Sequence, residues 1–203
     1  MLQIGCRREV AASPPSDHKR LASAPDSHTD MPARTRRAVS ALDCAQLNRL
    51  GIAAQMEDSA LLQLPHAEML ASQTFDALQP ALQEMRIAPL VSLPSTVDWA
   101  TIPTATMFAF ALLMHAAAAQ GWNVLASELF TRARTWAGRL MDVAHPHVLC
   151  GHLLLGLYCT EVLCDKSRAS FYFALAHAGY PAVLPALASA SEDSAPVAEP
   201  AAA

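Results

Sequence analysis

"HPHVLCGH", residues 145–152, is the stretch where side chains able to do chemistry crowd together: His145, His147, Cys150 and His152. Imidazole and thiolate are both ligands that zinc accepts. A cysteine–histidine pair is also the beginning of a nucleophilic site, provided a third group orients the base and the thiol stands in a positive, partly exposed setting. The spacing serves neither chemistry well. On a helix His147 and Cys150 fall near one side and His152 points away from them. Zinc sites usually draw their ligands from two separated pairs. The surrounding sequence is apolar, which opposes a reactive thiolate. We therefore expect helix-start histidines and a core thiol here, and assign no catalytic, cofactor-binding or metal-ligating residue. Cys159 and Cys164 face the same objection. Five cysteines (Cys6, Cys44, Cys150, Cys159 and Cys164) make an odd number without a secreted-type framework, so reduced, buried thiols are expected. The 7 glycines are scattered singly, which leaves no phosphate-cradling loop.

The elements that position these residues should be helices. Hydrophobic residues make up 53% of the chain and charged ones only 16%, against ~25% charged in a typical soluble domain. Alanine supplies much of the apolar fraction, and alanine favours helices packed on helices. The expected fold class is all-α: a compact bundle of antiparallel helical hairpins with disordered N- and C-terminal tails. Residues 1–40 hold seven Lys/Arg and four Asp/Glu, a balance of +3, which leaves −7 on the remainder. An acidic body is a poor ligand for phosphate, so no specific DNA binding by this chain alone is expected.

Residues 1–38 read as a disordered basic tail. Within it "MPARTRRAVSAL", from Met31, is Arg-rich and acid-free, like a mitochondrial transit peptide, a pattern that disordered tails also produce by chance. Residues 39–103 read as broken helical segments and a linker, interrupted by Pro65, Pro80 and Pro89, with 87–103 extended. The helical core is placed at 104–180. Thr104 is expected to cap its first helix and Gly121 to stop it. A second helix, about 123–143, buries Ala126, Leu129, Phe130, Ala133, Trp136, Ala137, Leu140, Met141 and Ala144, and turns Glu128, Thr131, Arg132, Thr135 and Arg139 outward. Pro146 suits the first turn of a third helix, apolar almost all round and therefore central. A fourth ends near Gly179, and 181–203 read as a disordered Ala/Pro/Glu-rich tail. The apolar runs 107–119 and 148–163 are interrupted by His115, and by His152 and Glu161. Buried core helices explain them better than membrane spans.

Ala126, Phe130 and Ala133 recur as Ala169, Phe173 and Ala176, each 43 residues on. Small residues at both ends let backbones approach, and Phe fills the groove between helices. This is the spacing of the second helix in tetratricopeptide-type hairpins, though only two units occur and the period is longer than 34. Both Phe residues are expected to be buried against the preceding helix.

Residues 123–180 resemble the regulatory domain of fungal zinc-cluster transcription factors, the middle homology region. The counterparts are "LFTRARTWAGRLM", "HPHVLCGHLLLGLY" and "CTEVLCDKSRASFYFALAHAG", with Arg168, Ala169 and Ala176 in the family's order and spacing. Ser170 stands where that family usually has Trp, "HAGYPAV" replaces its ending, and the zinc-cluster cysteines are absent. The resemblance implies a non-enzymatic regulatory or interaction module without its own zinc-cluster DNA-binding domain. It further implies nuclear residence, a protein partner, no cofactor, and a fragment or short member of the family. A cytoplasmic tetratricopeptide-like adaptor is the alternative.

Overall fold

A computed structural model describes residues 43–192, with side chains through residue 185. Among these residues every regular element is helical. Four short or peripheral helices come first: α1 Cys44–Leu50, α2 Asp58–Leu62, α3 Ala67–Glu84 and α4 Thr96–Thr101. Then follow α5 Pro103–Ala119, α6 Asn123–Arg139, α7 Pro146–Glu161 and α8 Lys166–Glu192, with 3-10 turns at Ala53–Gln55 and Ala88–Leu90. α5 pairs with α6, and α7 with α8, as consecutive hairpins. α7 also lies on α5, which α3 and α4 cover from other sides.

The helical body starts well before residue 104. Leu47, Leu61, Leu62, Phe75 and Trp99 belong to the same buried cluster as Phe108, Phe110 and Leu155. α5 is apolar all round, and such a helix needs cover on every side. The segment read as broken and extended supplies that cover. Pro80 does not interrupt α3, and Pro181 and Pro185 do not end α8. All three prolines are exposed, so the carbonyls they release can turn to water. Past Gly179, Val183 is buried, and the Tyr180 hydroxyl donates to the Met85 carbonyl at 3.0 Å. Residues 181–192 are thus helix rather than tail. The other tail expectations, at 1–42 and 193–203, lie outside the described residues.

Local signals explain the helix ends. Ser95 and Asp98 form a reciprocal capping box that starts α4 inside the stretch expected to be extended. Pro103, not Thr104, opens α5: it takes the first helical position, where its missing N–H costs nothing. Gly121, at φ 73°, closes α5 in the left-handed region. The Trp122 N–H reaches back to the Ala117 carbonyl at 2.8 Å. α6 stops at Arg139, leaving Met141 and Ala144 exposed rather than in the core. Pro146 drives His145 into extended backbone, so the chain must leave helical geometry first.

The two Ala–Phe–Ala segments converge on α7. Ala126, Ala133, Ala169 and Ala176 are all buried. Phe130 stacks on Tyr158 of α7, with ring centroids 5.2 Å apart. Its ring partner therefore lies on the following helix, not the preceding one. Phe173 covers Gly156 of α7: a Cβ there would stand 2.5 Å from the Phe173 ring. Phe173 is half-buried, against the expectation of full burial. Gly151 performs the same service toward α5, where a Cβ would meet the Met107 side chain at 2.8 Å. The two glycines let α7 sit close to both neighbours.

Candidate functional site

The residues of "HPHVLCGH" are dispersed by the helix that carries them. His145 is the N-cap of α7, its Nδ1 accepting the His147 N–H at 3.2 Å. His147 is no loose helix-start residue. Its ring stacks on Phe108 at 5.1 Å and 5°, and its Nε2–H donates to the Ser92 carbonyl at 3.0 Å. Burial lowers the pKa of both histidines. His152 is buried on another side of the helix, beside the Tyr172 ring at 6.4 Å. No group of three or more metal-ligating side chains gathers among the described residues.

The thiols are poor nucleophiles for an electrostatic reason. Burial pushes Cys150 up to about 12. Burial, helped by the neighbouring Asp43 carboxylate, raises Cys44 to about 11. Burial and then Asp165 raise Cys159. A thiol held protonated at neutral pH is a poor nucleophile. Cys44, Cys150 and Cys159 are free and buried as expected. Cys164 departs from that expectation: it is exposed in the α7–α8 turn at φ 52° and is not a free thiol.

A broad concavity lies elsewhere, between α3, α5 and α7. It is an open groove of about 440 Å³. Leu70, Leu78 and Leu154 give it an apolar floor, while Gln73, Gln120 and Glu161 are its polar margin. His115 lies in its wall, with Nε2–H donating to the Leu154 carbonyl at 2.8 Å. Burial lowers the His115 pKa, which keeps the ring neutral. His115 and Glu161 were visible in the sequence as polar interruptions of apolar helices. Their convergence was not, because it depends on how α5 packs against α7.

A polar clasp was also missed. Arg132, expected on the solvent side of α6, donates to Glu128 at 2.7 Å, Asp58 at 2.8 Å, and the Ala54 and Met56 carbonyls at 3.2 and 3.0 Å. Trp136 Nε1–H donates to the other Asp58 oxygen at 2.8 Å. Asn48 Oδ1 accepts from the Val124 and Leu125 N–H groups at 3.0 and 3.1 Å, capping α6 from a distant element. These bonds fasten the segment 44–62 to the first hairpin. No helix among the described residues is long and apolar enough to cross a membrane. The chain matches no family model, no curated protein and no solved structure.

Proposed function

We propose that the chain is a non-enzymatic regulatory module that acts by holding a segment of a partner protein. Its setting is the regulation of transcription in the nucleus, which the likeness of residues 123–180 to fungal regulatory domains implies. The observation that supports partner binding is the groove between α3, α5 and α7, with its leucine floor and polar margin. The occupant it suits is a short apolar segment carrying Lys or Arg, since Glu161 stands at the margin and the chain beyond residue 40 is acidic. Burial-raised thiols and histidines already engaged by carbonyls favour a binding role over a catalytic one.

The adaptor alternative keeps the groove and drops the nuclear setting. The stacking of Phe130 onto Tyr158 of the next hairpin favours it, as in repeat proteins where each hairpin covers its neighbour. One experiment addresses both. The chain is tethered to a heterologous DNA-binding domain at a reporter gene, with Ala77→Arg and Ala119→Arg as groove variants at exposed positions. The regulatory reading expects a change in reporter output that each variant abolishes while circular dichroism stays the same. A silent wild-type tether rejects the transcriptional setting. Variants as active as wild type reject the groove.

A further inference from the structure

Cys44, the first residue of α1, lines a small internal cavity together with Leu70 of α3 and Ala117 of α5. Leu70 also opens the row of α3 residues that line the α3/α5/α7 groove, a row that ends at Leu78, about 12 Å further along the helix. The described chain thus begins beside one end of the groove. Asp43 fixes that starting point, since its carboxylate accepts the Gln46 N–H at 2.7 Å. The residues just before it, "RTRRAVSAL" at 34–42, hold three arginines and no acid. Fully extended, such a stretch reaches about 30 Å, more than the groove needs. Its composition also matches the groove. Val39 and Leu42 suit the leucine floor, and the arginines suit Glu161, which is exposed and makes no salt bridge among the described residues. Residues 193–203 do not match: they carry Asp193, Glu199 and no cation, so Glu161 repels them. A second cleft, of about 270 Å³ between α7 and α8, has an acid in Asp142 but shares no lining residue with the cavity beside Cys44.

We propose that residues 34–42 fill the groove in cis, as a built-in competitor that a partner segment must displace. The inference rests on the groove being the partner's site. Tethering makes weak contacts sufficient. A short linker holds a segment at an effective concentration on the order of 1 mM, so an intrinsic Kd of about 0.1 mM leaves the groove about nine-tenths filled. A partner segment of the same chemistry then binds about tenfold more weakly than it would to an empty groove. The competitor sets a threshold: partners present only at low concentration are kept out, and a tight or abundant one gains entry. Arginine paired with an exposed carboxylate is screened by salt, so the threshold falls as ionic strength rises.

The test is methyl nuclear magnetic resonance on the full chain, wild type and the triple variant Arg34→Glu/Arg36→Glu/Arg37→Glu. In the wild type we expect nuclear Overhauser contacts from the Val39 and Leu42 methyls to those of Leu78, Leu154 and Leu157. The triple variant should lose them. A synthetic peptide of residues 31–42, added in trans, should then shift the groove methyls of the variant at roughly tenfold lower concentration than those of the wild type. Equal peptide affinities overturn the proposal, as do wild-type contacts that are absent or run to another face. Contacts that fade on tenfold dilution come from the segment of a second copy and overturn the cis assignment. The wild-type contacts decide the matter even if the variant does not fold. Failure here is distinct from failure of the partner reading, which falls only if Ala77→Arg and Ala119→Arg leave the reporter response unchanged.

Discussion

α6 and α8 share one apolar spacing and live in different surroundings. Both bury the two alanines of the repeat and turn a Phe toward α7. Beyond that the hairpins diverge. α6 is clasped on its outer side by Asp58 through Arg132 and Trp136, and Asn48 caps its start. The positions 43 residues on from Arg132 and Trp136 are Leu175 and Gly179, which have no polar handle. They line the α7/α8 cleft instead. The apolar repeat fixes which face of each helix meets the core. The polar residues between its members decide whether the opposite side is fastened down or left open.

The largest effect that sharpens this contrast is at the two phenylalanines. Phe130→Ala should destabilise by about 3–5 kcal/mol in urea titration, the usual cost for a buried ring. Phe173 is half-buried, so Phe173→Ala should cost less, about 1–3 kcal/mol. Gly156→Ala adds a sharper reading. Helix propensity alone favours alanine by about 1 kcal/mol, but the Phe173 ring occupies the space the methyl needs. A net loss, relieved by Phe173→Leu in the same chain, shows that the ring contact prevails. Equal losses at Phe130 and Phe173 would break the comparison.

Next in size is a pH effect that belongs to the second hairpin. His152 titrates at about 4 in the folded chain against 6.5 as its ordinary value. A base with a lowered folded pKa takes up its proton more readily when unfolded. Stability from this source is therefore complete above pH 6.5 and falls as pH drops toward 4, by up to about 3 kcal/mol. His115, His145 and His147 are lowered too and add in the same direction. His152→Leu should flatten the larger part of the slope, while leaving stability near pH 7 little changed because no hydrogen bond to Nε2 is lost. Denaturant midpoints between pH 4.5 and 7.5 give the check, and an undiminished slope in the variant refutes it.

The third effect belongs to the first hairpin. Arg132→Ala should cost about 1–2 kcal/mol, because the side chain is partly shielded and joins two carboxylates and two carbonyls. A double-mutant cycle with Asp58→Ala should show coupling above about 0.5 kcal/mol. Coupling near zero would mean that the clasp rests on apolar contacts alone.

Helix class, the central place of α7 and the four buried alanines were legible in the sequence, because each follows from spacing along one helix. Arg132 was not. Its partners other than Glu128 lie more than seventy residues away, and an outward Arg on a periodic helix looks solvated until the segment that covers it is placed. Proline misled at position 80, and Ala/Pro/Glu-rich composition misled from 181 on, because exposure makes a lost hydrogen bond tolerable inside a helix. Of the residues weighed for chemistry, His152 is the one whose surroundings were hardest to read. Its helical offset from Cys150 set it on another side of α7, yet said nothing of the α8 surface that forms a cleft beside it.

The smallest effects test the open sides of the two hairpins. Thr131 is exposed, and its hydroxyl bonds only to the Ser127 carbonyl of its own helix. Thr131→Ala should therefore move the unfolding free energy by no more than about 0.5 kcal/mol. Phe171 is 52% exposed, touching Tyr172 edge-on at 5.4 Å. Phe171→Ser should be equally mild, about 0.5 kcal/mol or less, despite removing a whole ring two residues before Phe173. Chemical denaturation of both variants beside Phe130→Ala sets the scale. If Phe171→Ser costs more than about 1 kcal/mol, the outer side of α8 is covered in solution, and the contrast with α6 dissolves.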